Sequence, residues 1–281
     1  MPPPSDFDLT EFVRRTLTED LGEGGDVTSA ATIPADARFT AEMNCREPIV
    51  VAGIAIAEAF FRALDPAVEI ETLVEDGERA AAGAVMMRIS GNARAMLTAE
   101  RSALNTLQHL CGIATLTRRY VAAIAGTGAI LLDTRKTIPG LRVLGKYAAL
   151  MGGASNHRMR LDDGVLIKDN HVGVAGDVAE AVRRARAADT GLQVQVEVDR
   201  IAQIEPALTA GAERLLLDNM PPPMLREAVA LVAGRVPLEA SGGVNLDTIR
   251  AIAETGVDFI SVGRITQSAP AVDIGLDYRA A

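Results

Sequence analysis

Six short apolar runs in the second part of the chain each end in residues that can do chemistry. Ile130–Leu132 is followed by Asp133-Thr134-Arg135-Lys136-Thr137, and Val165–Ile167 by Lys168-Asp169-Asn170-His171. In Gln193–Asp199 the valines 194, 196 and 198 share one face of an extended chain, while Gln195 and Glu197 share the other. Leu215–Leu217 runs into Asp218-Asn219, Leu238–Ala240 into Ser241-Gly242-Gly243, and Phe259–Val262 into Gly263-Arg264. Arg135, Lys136, Arg158 and Lys168, with Arg101 upstream, form a cationic set suited to carboxylates and phosphates. Glu197 and Asp218 are hard oxygen donors of the kind that hold Mg²⁺ together with substrate phosphates. The glycine turns at 242–243 and 263 expose backbone N–H groups where parallel barrels often seat phosphate. Together these residues point to a multiply anionic, phosphate-bearing substrate with Mg²⁺ and leave the reaction open.

Such residues act together only if the strands bearing them lie side by side. From Ala129 onward the apolar runs alternate with helical patterns at Leu141–Leu150, Val178–Ala188, Ile201–Leu208, Met224–Val232 and Leu246–Glu254. Alternation of this kind predicts right-handed βαβ crossovers and a parallel sheet, and short, evenly spaced strands favour a barrel, in which chemistry sits at the strand C-termini. Ala154-Ser155-Asn156 offers a short seventh strand, and no eighth is visible. Upstream, Ser5 or Asp6 is expected to cap an amphipathic helix carrying Phe7, Phe12, Val13 and Leu17, ended by Gly22-Glu23-Gly24-Gly25. Asp26 and Thr28 read as a loop brace. Residues 37–91 read as strand, strand, helix, strand, strand, an α+β unit, and Ala95–Ile124 as one long helix.

Composition narrows the function further. The 281 residues carry a net charge of −9 with 3% aromatics and no Trp, which argues against general nucleic-acid or acidic-membrane binding. No run approaches the roughly 20 apolar residues of a membrane span, and the first residues lack the pattern of a signal peptide. Cys45 and Cys111 make no disulfide framework, so a cytoplasmic location is expected.

Several segments closely resemble the quinolinate phosphoribosyltransferase family. They include Asp133-Thr-Arg-Lys-Thr-Ile-Pro-Gly-Leu141, Lys146-Tyr147-Ala148, Asn156-His157-Arg158, Leu166-Ile-Lys-Asp-Asn-His171, Glu197-Val198-Asp199 and Glu239-Ala240-Ser241-Gly242-Gly243. Upstream, Gly25-Asp26-Val27-Thr28 and Glu100-Arg101-Ser102-Ala103-Leu104-Asn105 extend the match. The resemblance implies an N-terminal α/β sandwich over 1–115 and an incomplete, seven-strand TIM-like α/β barrel over 116–281, with a tail that can return to the first domain. It implies a homodimer with shared active sites, or a hexamer of such dimers. It further implies that phosphoribosyl passes from 5-phosphoribosyl-1-pyrophosphate (PRPP) to quinolinate with decarboxylation, giving nicotinate mononucleotide, pyrophosphate and CO₂ in NAD synthesis.

By that analogy Arg101, Thr134, Arg135, His157, Arg158 and Lys168 bind quinolinate, one arginine reaching in from a partner subunit. Lys136, Lys168, Glu197 and Asp218 serve catalysis and PRPP, the two carboxylates through Mg²⁺ or the ribose hydroxyls. Ser241, Gly242, Gly243, Val262, Gly263 and Arg264 would take phosphate. Three positions depart from the family pattern: Arg160 and Arg264 replace small residues, and Gln267 stands where histidine is common. Competing expectations are a same-fold relative acting on another base, of the molybdate-transport-associated type, a lyase forming a Schiff base on Lys168, and a binding protein without turnover.

Overall fold

The computed structural model describes residues 7–279. The chain divides into two compact units. The first takes in the chain through Arg118, Val143–Gly153 and the segment from Ser268; the second comprises Arg119–Arg142 and Ala154–Gln267. This interleaved division differs from a single cut at 115/116.

In the first unit, helix α1 (Leu9–Leu21) is capped by Asp8, whose side chain accepts the Glu11 N–H at 2.9 Å. The expected caps Ser5 and Asp6 lie outside the described residues. Val13 and Leu17, four residues apart on one face, are its buried positions. Asp26 caps a second helix, α2 (Val27–Thr32), by accepting from Ser29 N, and it also accepts from the Thr98 hydroxyl. The expected loop brace is therefore a helix cap. There follow β1 (Arg38–Cys45), β2 (Ile49–Val50), α3 (Ile54–Leu64), β3 (Glu69–Thr72), β4 (Arg79–Ala80), β5 (Val85–Asn92) and the long α4 (Ala93–Ala123). Met43, Met87, Ile89, Phe60, Phe61, Leu107 and Leu110 are buried from solvent. Each such side chain contributes roughly 1.5–3 kcal/mol on transfer from water.

The second unit is built on β6 (Ile130–Leu132), β7 (Val165–Ile167), β8 (Val194–Val198), β9 (Arg214–Asp218), β10 (Leu238–Ser241) and β11 (Phe259–Ser261). Between them lie α5 (Arg142–Met151), which belongs to the first unit from Val143 on, α6 (Asp169–Ala175), α7 (Val178–Ala187), α8 (Ile204–Thr209), α9 (Pro222–Val232) and α10 (Ile249–Ala253). The six strands pair in parallel in the order β6-β11-β10-β9-β8-β7. The expected seventh strand is a single parallel bridge, Ser155 to Leu132, on the free side of β6. Among the described residues no pairing joins Ser155 to β7, so the barrel is open there. After β11 come α11 (Arg264–Gln267) and β12 (Ile274–Tyr278); β12 pairs antiparallel with β1, completing a first-unit sheet of order β12-β1-β5-β3. Among the described residues no helix is long and apolar enough to cross a membrane.

Candidate active site

Parallel strands place all their C-terminal ends on one rim. Thr134, Arg135 and Lys136 follow β6, Lys168 follows β7, Glu197 lies near the end of β8, and Asp218 closes β9. Ser241 closes β10 ahead of Gly242 and Gly243, and Val262, Gly263 and Arg264 follow β11. The odd-numbered face of β8 points inward, as the alternation predicts: Val194, Val196 and Val198 are buried, and Gln195 reaches Glu239 on β10.

Three charged groups converge where β7, β8 and β9 end. The Lys168 ammonium donates to Glu197 Oε2. Burial, then the charge of Glu197, pushes the Asp218 carboxyl up, against the opposing pull of Lys168, an Asn219 hydrogen bond and Lys136. Asn219 Nδ2 donates to Asp218 Oδ2 at 2.6 Å. Lys136 is held by its own backbone: its N–H donates to Thr134 Oγ1 at 3.0 Å, and its carbonyl accepts the Thr266 hydroxyl at 2.8 Å. Its stem runs over Gly263, where an added Cβ would stand 2.7 Å from Lys136 Cδ. Gly242 has φ +93°, and a Cβ there would lie 2.2 Å from Asn219 Oδ1, so only glycine permits this turn.

Arg135 and Arg158 form the second cluster. Burial, then the charge of Arg135, pushes the Arg158 guanidinium down, with Asp163 offsetting in part. Arg158 donates to the Gly164 carbonyl at 2.7 Å. Arg135 Nε is buried with no hydrogen-bond partner among the described residues. Two like charges held together, with a buried donor left unanswered, make a site that gains by receiving an anion.

His157 is fixed from three sides. Its N–H donates to Asp133 Oδ1 at 2.8 Å, its Nδ1 accepts the Arg158 N–H at 2.7 Å, and its Nε2 lies 3.3 Å from Glu239 Oε2. Burial pushes the Glu239 carboxyl up, but the His157 ring N–H and the charge of Arg214 prevail and hold it at about 2.

The remaining predicted residues are placed as follows. Val262 is buried and its N–H donates to the Leu132 carbonyl at 3.0 Å. Arg264 is exposed, near enough to Tyr120 for its charge to favour the ionised phenol against the larger effect of burial. Arg101 is exposed on α4, in the first unit. Arg160 pairs with Asp162 at 3.0 Å, and Gln267 is exposed at the end of α11. His171 accepts the Lys168 N–H at 2.9 Å and so caps α6.

Residues 26–111 match the family described as quinolinate phosphoribosyl transferase, N-terminal domain, and residues 113–277 match its C-terminal domain. The chain belongs to the quinolinate phosphoribosyltransferase family. It is 44% identical over 281 residues to the nicotinate-nucleotide pyrophosphorylase (carboxylating) of Mycobacterium leprae, covering 97% of this chain and 98% of the relative. It is 42% identical over 289 residues to the mitochondrial quinolinate phosphoribosyltransferase (decarboxylating) 2b of Nicotiana tabacum, covering 96% and 82%. The crystal structure of the nicotinate-nucleotide pyrophosphorylase from Ehrlichia chaffeensis superposes with a TM-score of 0.94 at 39% identity, covering 98% of this chain and 100% of that one.

Within this member of the quinolinate phosphoribosyltransferase family, four buried or half-buried polar residues beside the candidate site drew no role from sequence: Asp133, Gln195, Arg214 and Glu239. For Gln195 and Glu239 the signal was a polar residue set inside an apolar strand, as in Leu238-Glu239-Ala240.

Proposed function

We propose that the rim of the second unit is the catalytic site of this family member's reaction. The chain transfers phosphoribosyl to quinolinate with loss of CO₂, forming nicotinate mononucleotide and pyrophosphate in the synthesis of NAD. The observation that supports the site assignment is the Arg135–Arg158 pair with its unanswered Arg135 Nε, next along the rim to the Lys168–Glu197–Asp218 cluster. Quinolinate is a dianion with adjacent carboxylates, and two guanidinium forks match it in charge and geometry. Thr134 and Lys168 complete that pocket, and Arg101 adds a further cation from the partner in a homodimer.

PRPP lies along Lys136, Lys168, Glu197 and Asp218, its 5-phosphate on the turns at Ser241–Gly243 and Gly263, near Arg264. As pyrophosphate departs, cationic character grows on the ribose and anionic charge on the leaving group; Lys136 and Lys168 meet the latter, and the two carboxylates face the former. The pyridine nitrogen closes on the anomeric carbon. The resulting pyridinium stabilises, as an ylide, the electron pair left on the ring carbon when the adjacent C–CO₂ bond breaks; CO₂ leaves, and that carbon takes a proton from water. No covalent bond to the protein is needed, so positioning and electrostatics supply the rate.

The donor set fits Mg²⁺: burial and, after it, the charge of Glu197 raise Asp218, and a cation between the two carboxylates relieves both. Among the described residues no group of three or more potential ligands forms a metal cage, so substrate phosphates and water would complete the shell. When bound, Mg²⁺ supplies positive charge toward the pyrophosphate.

Incubation with quinolinate, PRPP and Mg²⁺, with nicotinate in parallel, tests the reading. Nicotinate mononucleotide and CO₂ form from quinolinate alone; turnover of nicotinate with no reaction of quinolinate would refute it.

A further inference from the structure

A buried line of polar side chains runs through the second unit from the start of β9 to the loop that bears Arg158. Arg214, the first residue of β9, stacks its guanidinium carbon 4.0 Å from the Phe259 ring centroid and sets a nitrogen 2.8 Å from Glu239 Oε2. Glu239 has no exposed surface. The same oxygen accepts Gln195 Nε2 at 2.8 Å and lies 3.3 Å from His157 Nε2. On the far side of the imidazole, Nδ1 accepts the Arg158 N–H at 2.7 Å. Assigned from these partners, the ring proton sits on Nε2. Both ring nitrogens are then engaged by the protein, and neither is left for a substrate carboxylate.

We propose that Glu239 is a positioning residue for quinolinate, acting through His157, which is a strut between Glu239 and the Arg158 backbone and not itself a ligand. The proposal rests on the assignment of Arg158 to the quinolinate pocket. The segment from Asn156 to Gly164 belongs to no strand ladder, so nothing in the sheet sets the direction of Arg158. The Gly164 carbonyl holds the guanidinium, the imidazole holds the Arg158 backbone N–H, and Glu239 fixes the imidazole. Arg214 supplies the countercharge that a fully buried carboxylate requires. A buried ion pair at such a place is more readily explained by orientation than by stability.

The test removes both charges together, because losing one strands the other in the interior. In Arg214→Met with Glu239→Met, His157 loses its acceptor; in Arg214→Met with Glu239→Gln, an acceptor returns without the charge. For the first variant the KM for quinolinate is expected to rise about tenfold or more, with the KM for PRPP within about twofold of wild type, since a misplaced binding group costs rate and affinity on this scale. The second variant recovers most of the loss. Equal rises in both KM values, or a loss that Gln does not recover, overturn the proposal.

Nitrogen-15 spectra of the wild-type histidines need no variant, and they decide the matter if the double variants do not fold. His157 keeps its Nε2-protonated signature when quinolinate saturates the enzyme, whereas a second ring proton or a change of tautomer on binding overturns the strut. Arg158→Ala in the same assay separates the two readings. A wild-type quinolinate KM there removes the pocket assignment itself. A raised KM beside a normal Met/Met variant keeps the pocket and removes Glu239.

Discussion

Asp133 and His157 are joined directly: the fully buried carboxylate at the end of β6 accepts the His157 backbone N–H at 2.8 Å. Its other oxygen accepts Asn156 Nδ2 at 2.6 Å. One acid thus anchors the start of the loop that carries Arg158. Asp133→Ala strands the half-buried His157 N–H, while the exposed Asn156 amide can turn to water, and is expected to destabilise the protein by about 1–3 kcal/mol. Urea denaturation measures this; a change within about 0.5 kcal/mol, ordinary for a surface site, would show that the loop does not depend on the anchor.

On the proposed assignment, Arg135→Ala and Arg158→Ala each remove a charge-assisted pair to quinolinate. The expected loss is about 2–3 kcal/mol, or roughly 30- to 150-fold in kcat/KM for quinolinate, with the fold retained. Steady-state kinetics and circular dichroism check both parts. A wild-type kcat/KM in either variant removes that arginine from the pocket.

Asp218 is raised above its ordinary value by burial and by Glu197. The working form is the carboxylate, so activity falls on acidification through a pH above the ordinary range. Glu197→Gln removes the repelling charge and moves the acid limb of kcat/KM for PRPP to lower pH, at reduced activity. A limb that stays in place or moves upward would contradict the coupling.

Glu239 falls from its ordinary 4.5 to about 2 on folding. A depressed carboxyl contributes stability that is fully present above 4.5 and lost as pH falls toward about 2. In that window the unfolded chain binds one more proton at this site, so the slope of stability against pH carries up to about 1.4 kcal/mol per pH unit from it. Arg214→Met with Glu239→Gln flattens the slope by about that amount in urea titrations between pH 2.5 and 4.5, and an unchanged slope would show that Glu239 does not titrate there.

The six parallel strands were legible because strands covered on both faces read as short apolar runs, and their order in the chain fixes which residues reach the rim. Arg135, Lys168, Glu197 and Asp218 were found that way. β4 and β12 were not, since two-residue and edge strands owe their existence to partners far off in sequence: Arg79 pairs with Val50, and Tyr278 with Ala41. α6 was hidden because Lys168-Asp169-Asn170-His171 is as polar as a loop, and its cap is an imidazole, which no simple capping rule anticipates. Gln195, Arg214 and Glu239 were visible as residues but mute as a group. Their meeting depends on the register of β8, β9 and β10, where Gln195 faces Arg214 and Glu239 faces Leu216. Arg160 and Gln267 depart from the family pattern at exposed positions.

The single bridge at Ser155 has a consequence for how this wall can change. A residue gained or lost in a paired strand slips every inward side chain to the opposite face. Between Asn156 and Gly164 there is no register to slip, because the segment hangs from Asp133 at one end and is braced by Glu239 beside it. Length and sequence can drift in this stretch while the six strands stay in step, so the seam of the barrel is the place where a new preference for a ring substituent can arise without rebuilding the scaffold.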